Sequence, residues 1–244
     1  MGPGHHMSIT DNQPLIELTQ IVFDHPSNTA TNSTEPMINQ LDFSLLAGEK
    51  VAINGNNGCG KSSLLSLITG LTELQQGCVR LFGNLCFEEK DFAQYRTRIG
   101  LVFQNADDQL FCPTVLEDIC FGPLNQGLTA QQARDKARQI MQRLKIEHLQ
   151  NQVPWQLSGG QKRIVALATV LAMDPQVLIL DEPSNDLDMS AQQRLIEIIQ
   201  SLDLPLILVS HDAQLREKLV NKQYWMENGQ LTLQRKNNRH DDQV

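Results

Sequence analysis

Leu157-Ser158-Gly159-Gly160-Gln161 is the stretch that decides how the rest of this 244-residue chain is read. Ser158 and Gln161 stand at capping-box spacing, where serine and glutamine side chains satisfy each other's backbone N–H groups at a helix start. Gly159 and Gly160 remove side chains from the first turn, so a ligand can approach the backbone closely. The spacing predicts a helix through Lys162–Met173, with its positive end and unpaired N–H groups suited to an anion. Simple capping is compatible with that use. The apolar run Ile164–Met173 has ten residues and ends at Asp174-Pro175, whereas a membrane-spanning helix needs about 20. No span is read in the sequence; work at a membrane would need spans from other subunits.

About a hundred residues upstream, Gly55-Asn56-Asn57-Gly58-Cys59-Gly60-Lys61-Ser62 fits GxxxxGK[ST], the phosphate loop. The glycines let the backbone turn its N–H groups inward on phosphate oxygens, and the following helix aims its positive end at the same anion. Lys61 supplies a point charge to the β- and γ-phosphates, and Ser62 a hydroxyl to Mg²⁺. Ser63 follows in the same turn. Such loops occur in many unrelated nucleotide binders, so alone this one says only that a nucleoside triphosphate is bound. Downstream, Asp181 and Glu182 end the apolar run Val177–Leu180, at the carboxyl edge of a buried strand, where open α/β sheets place their ligand chemistry. Asp181 is expected to hold Mg²⁺ and Glu182 to orient or deprotonate the attacking water. A solvated strand end before Pro183 is the plainer reading of the pair taken alone.

With LSGGQKR at 157–163, ILDEP at 179–183, Gln104 in LVFQN and His211 in LVSHD, the chain resembles the ATP-binding-cassette (ABC) ATPases over nearly its whole length. Order and spacing agree together, which makes the resemblance specific. It implies an α/β fold with a RecA-like P-loop core, an N-terminal antiparallel β subdomain and an inserted α-helical subdomain at about 105–160. It also implies that Gln104 reaches Mg²⁺ and the attacking water, and that His211 contacts the γ-phosphate. Ser158, Gly159, Gly160 and Gln161 would cap the γ-phosphate bound by a second copy, so that two ATPs join two domains head to tail. Ser184–Asp188 occupies the family's interface-crossing loop, with Asn185 where common members have Ala. The adenine platform also departs from the family: His25 stands where an aromatic residue usually precedes Pro, with Phe23 two residues earlier, and either could stack on the base. Cys59 replaces a more usual small residue in the phosphate loop.

The stretch from Leu101 through Asn125, with Gln-Asn-Ala-Asp-Asp-Gln-Leu-Phe at 104–111, is similar to the ATPases of energy-coupling-factor (ECF) importers, especially the CbiO-like subunits of cobalt and nickel uptake systems. That resemblance implies a peripheral subunit on the cytoplasmic face of the membrane, paired more readily with an identical copy than with a related one. It would power a transmembrane scaffold and a separate substrate-capture subunit, with Asp107 and Asp108 facing arginines of the scaffold. An ECF ATPase serving a vitamin, an importer of another class, and an ABC protein acting on ribosomes share the same ATP motifs. A net charge of −8 and a pI near 5.2 point away from nucleic acid.

One ABC domain is expected over residues 7–234, preceded by an expression remnant at 1–6 and followed by a polar tail at 235–244. Five cysteines without metal-type spacing and no secretory leader fit a reducing compartment. Strand composition is read at 15–24, 41–46, 50–53, 177–180 and 206–209, with an exposed hairpin loop over 27–39 and a hairpin turn at Asn228-Gly229. Helices are expected from Lys61 to Thr69, from the Thr114/Glu117 capping box to Gly122-Pro123, from Thr129, and around Leu195–Leu202.

Overall fold

A computed structural model describes residues 13–24 and 36–234. β1 (Ile16–Phe23), β2 (Ile38–Leu45), β4 (Gln76–Leu81) and β5 (Asn84–Cys86) form an antiparallel sheet in the order β2-β1-β4-β5. A second, six-stranded sheet runs β10-β9-β3-β8-β7-β6, built from β3 (Lys50–Gly55), β6 (Ile99–Val102), β7 (Val177–Asp181), β8 (Leu206–Val209), β9 (Lys222–Glu227) and β10 (Gln230–Gln234). Its members are parallel except β10, which pairs antiparallel with β9.

Alternation along the central strands divides the interior in two. Val51, Ile53, Val177, Ile179, Ile207 and Val209 face a core shared with the antiparallel sheet and with α1 (Lys61–Ile68). Ala52, Leu178, Leu180, Leu206 and Leu208 face a core shared with α5 (Gly159–Leu171), α6 (Met189–Gln200) and α7 (Ala213–Leu219). Because successive side chains point to opposite faces, a strand buried on both must be apolar throughout. That is why β7 and β8 read as unbroken aliphatic runs. The second core continues into α3 (Val115–Asn125) and α4 (Ala130–Leu144), where Ala133, Ala137, Met141 and Leu144 make the buried face of α4.

Side-chain chemistry sets the helix starts. Full capping boxes open α4 at Thr129/Gln132 and α5 at Ser158/Gln161. At α3 only half of the expected box forms: Thr114 accepts from the Glu117 N–H at 3.3 Å, while the Glu117 carboxylate takes the Thr114 hydroxyl. That helix also does not close at Gly122-Pro123 but continues to Asn125. Gln126 and Leu128 donate to the carbonyls of Gly122 and Pro123, so the turn after the proline stays bonded. Gly122 permits this packing, because a Cβ there would lie 2.6 Å from Met173 Cγ. β2 begins at Ile38, inside the run expected to be loop, because Ile38 is buried opposite Phe23. Residues 27–35 of that loop, the segment 1–6 expected to be a remnant and the 235–244 tail lie outside the described residues. Among those described, no helix is long and apolar enough to cross a membrane.

Candidate nucleotide-binding site

Four neighbouring parallel strands end at one edge of the large sheet, and each delivers a functional group beyond it. β3 ends in the phosphate loop, β6 leads to Gln104, β7 ends in Asp181-Glu182, and β8 leads through Ser210 to His211. Asn57, Gly58, Gly60, Lys61, Ser62, Ser63, Gln104, Asp181, Glu182 and His211 line a single cleft of about 420 Å³. Met37 and Asn185, neither of which the sequence marked as ligand-contacting, join them there.

The phosphate loop is arranged as an anion cradle. The N–H groups of Gly58, Gly60, Lys61 and Ser62 have no partner among the described residues. Gly60 holds φ +104, and a Cβ there would crowd the side chains of Met226 and Met37. Lys61 is 8% exposed, and its Nζ donates to the carbonyls of Gly55 at 2.8 Å and Asn56 at 3.0 Å. An ammonium has three donors, so one N–H stays available to a ligand. Cys59 is half-buried and packs against the apolar core.

The acidic pair is held from two sides. Ser62 Oγ donates to Asp181 Oδ2 at 3.1 Å. Burial pushes the Asp181 carboxyl above the usual carboxylate range, only partly offset by that hydrogen bond. Hydroxyl, carboxylate and the Gln104 amide in one cleft make an all-oxygen donor set of the kind Mg²⁺ takes, and a cation there would offset the buried charge. A raised carboxyl favours the folded state fully below its unfolded value near pH 4, and that contribution is lost as pH rises through the folded value. Asp181→Asn is therefore expected to melt higher than the parent in the absence of nucleotide. The gap should open above about pH 4 and amount to roughly 2–4 °C per kcal/mol relieved. Calorimetry across pH checks it, and equal melting at pH 7 counts against a penalised Asp181.

Glu182 is 6% exposed and adopts φ +43, a left-handed conformation costing about 1–3 kcal/mol in a residue with a side chain. Two contacts hold it there: its N–H donates to the Val209 carbonyl at 2.8 Å, and its Oε2 accepts the His211 N–H at 3.2 Å. Its Oε1 is buried with no hydrogen-bond partner among the described residues. His211 Nε2 lies 3.4 Å from that oxygen but is not aligned to donate to it. The cleft thus contains a fixed carboxylate with one oxygen that makes no hydrogen bond among the described residues, chemically able to act as a base.

Ser158–Gln161 are formed as the sequence predicts yet are not part of this cleft. Ser158 and Gln161 bond to each other's backbone, and the N–H groups of Gly159 and Gly160 have no partner among the described residues. The turn packs instead against the start of α6, where a Cβ on Gly160 would lie 2.7 Å from that of Ala191. Of the two adenine candidates, Phe23 is buried in the core and closed to a base; His25 lies outside the described residues. The sequence assigned no role to Arg163, which is buried with its guanidinium on the Phe103 and Gln104 carbonyls. Its only local signal was a cation beside Lys162, just before the apolar run of the helix.

The ABC transporter family model matches residues 38–185. An uncharacterized ABC transporter ATP-binding protein of Haemophilus influenzae is 46% identical over 175 residues, covering 72% of this chain and 81% of that protein. The energy-coupling factor transporter ATP-binding protein EcfA of Methanosphaera stadtmanae is 35% identical over 205 residues, 82% of this chain and 72% of that protein. Among solved structures, CbiO1 of Clostridium perfringens, described as part of the ABC transporter complex cbiONQ, superposes with a TM-score of 0.79 at 29% identity. The match covers 91% of this chain and 88% of CbiO1. The chain belongs to the ABC transporter family. It is an ABC ATPase, the ATP-binding subunit of a transporter, and its relatives include ECF subunits.

Proposed function

We propose that this chain is the ATP-hydrolysing subunit of an ECF-type importer, working as a pair of identical copies on the cytoplasmic face of a membrane. The observation that carries the reading is the separation of two anion-binding helix starts. The start of α1 lines the cleft, while the start of α5, with unpartnered N–H groups, lies outside it. A second copy supplies the missing cap, closing each triphosphate between one phosphate loop and the other's Ser158–Gln161. ATP that binds the closed pair better than the open one sets the geometry of the dimer, and hydrolysis releases it.

Within each site the loop N–H groups and Lys61 hold the β- and γ-phosphates. Ser62, Asp181 and Gln104 would hold Mg²⁺, which when bound would neutralise charge on the phosphates. Glu182 keeps Oε2 on the His211 N–H and uses Oε1 to orient water in line with the γ-phosphate and to take its proton. His211, whose side chain is about half exposed, faces the same phosphate. Catalysis comes from position and charge, with no covalent intermediate on the protein. His25 remains the proposed adenine platform.

The partners are a transmembrane scaffold and a substrate-capture subunit, and the cargo is a transition-metal ion, cobalt or nickel; the resemblance of the Leu101–Asn125 stretch supports the cargo, and the likeness to CbiO1, part of a transporter complex, supports the partners. Asp107 and Asp108 are both exposed, and each already has a partner within the chain. Lys162 Nζ lies 2.6 Å from Asp107 Oδ1, and Asp108 accepts from Asn105 at 3.2 Å. Beside it, Leu101, Phe103, Phe111, Phe121 and Met173 line an apolar groove of about 360 Å³. Phe111 and Phe121 are 65% and 44% exposed and pack edge to face at 4.9 Å. We assign this groove to the scaffold, because exposed aromatic anchors dominate interface energetics. Phe111→Asp is expected to keep basal ATPase while co-purification with the polytopic subunit falls about thirtyfold or more. Unchanged co-purification removes the groove from coupling. Recovery with ribosomes and no membrane subunit overturns the transport reading, and uptake of labelled cobalt and nickel decides the cargo.

A further inference from the structure

The segment carrying Gln104 is held by helix α5. Among the described residues, no hydrogen bond joins 103–109 to the phosphate loop. Arg163, on the second turn of α5, is 6% exposed. Its Nη1 donates to the Phe103 carbonyl at 2.8 Å and its Nη2 to the Gln104 carbonyl at 2.7 Å. Two bonds from a planar guanidinium fix orientation as well as distance. Two further side chains, Lys162 and Gln109, tie the same elements together, the latter also reaching Thr169 Oγ1 at 2.8 Å. Lys162 pairs with Asp107, and Gln109 Nε2 donates to the Ala166 carbonyl at 2.8 Å while its Oε1 accepts from the Phe103 N–H at 3.3 Å.

The first turn of this helix, Ser158–Gln161, is the proposed cap over the partner's nucleotide, and Gln104 lines the chain's own cleft. One rigid element therefore touches both sites of a pair. We propose that Arg163 is a positioning residue that couples the two ATP sites: seating α5 on the partner's nucleotide carries Gln104 into register with the chain's own. The inference rests on the function proposed above. It differs from simple support of α5, because α5 can keep its fold and its cap while Gln104 loses its place. A physical link between sites needs a connected element that both ligands bias, and the clamp is such an element.

The test compares Arg163→Met and Arg163→Lys, each alone and combined with Glu182→Gln. In the Glu182→Gln background, both variants should still form an ATP-held dimer, with ATP affinity near that of Glu182→Gln alone. With Glu182 intact, kcat should fall about 10²-fold for Arg163→Met, the loss expected when a group beside the chemistry is misplaced by about 1 Å. The Hill coefficient for ATP should drop from above 1 to about 1. Arg163→Lys keeps the charge but not the two-pronged geometry and should fall between. If Arg163→Met does not fold, Arg163→Lys decides on the same readouts. Unchanged kcat and Hill coefficient overturn the clamp. Loss of the ATP-held dimer in the combined variants overturns it too, since Arg163 would then merely build α5. Failure of Glu182→Gln alone to hold a dimer overturns the proposed function and this inference with it.

Discussion

Glu182→Gln is expected to bind ATP, to dimerise with it, and to release phosphate about 10²–10⁴-fold more slowly than the parent, the range a general base contributes. The substitution is nearly isosteric. An amide oxygen can still accept the His211 N–H that Glu182 Oε2 accepts at 3.2 Å, so the left-handed backbone at this position keeps its support. What is lost is the basicity of Oε1, the buried oxygen with no hydrogen-bond partner among the described residues. ATP then persists between the two copies, and the dimer persists with it. Phosphate release and size-exclusion chromatography with ATP and Mg²⁺ check both halves. Near-normal release would take Glu182 out of the water-activating role.

Lys61→Ala should lose nucleotide binding itself. Removing one partner of a buried, hydrogen-bonded charge pair costs about 2–5 kcal/mol, which weakens the dissociation constant roughly thirtyfold to several thousandfold. The same change uncaps the Gly55 and Asn56 carbonyls that the ammonium holds at 2.8 and 3.0 Å. A loss of folding stability of about 1–3 kcal/mol is therefore expected alongside. Calorimetric titration with ATP and a melting curve separate the two effects. Parent-like affinity would mean that the loop N–H groups alone carry the triphosphate.

The central sheet, the phosphate loop and the acidic pair were legible because local chemistry and global position agree there. Aliphatic runs ending at Gly55 and Asp181, read together with the phosphate loop, mark buried strands opening onto a ligand edge. The small antiparallel sheet was less legible. In β4 only Val79 and Leu81 are buried, and the strand exists because β1 pairs with it across register shifts. Helix α2 (Glu89–Ala93) has five residues, too few for a periodic signal, and is pinned by Asp91 accepting the Phe87 and Glu88 N–H groups. Pro123 was read as a helix end although tertiary packing on Met173 carries the helix past it. Arg163 stayed invisible for a different reason. Its acceptors are backbone carbonyls about sixty residues away, and a carbonyl leaves no trace in the residue type that bears it.

Ser158–Gln161 were read in sequence as a cap lent to another copy, and their position outside the cleft of their own chain is what gives that idea structural weight. Mixing two crippled copies tests it most directly. Lys61→Ala keeps a sound cap but no phosphate grip, and Ser158→Arg keeps the grip but blocks the cap. Each alone should be inactive, and a mixture should regain ATP turnover through hybrid pairs containing one intact composite site. Full turnover by Ser158→Arg alone, or a mixture as silent as its parts, would contradict a catalytic centre shared between two chains.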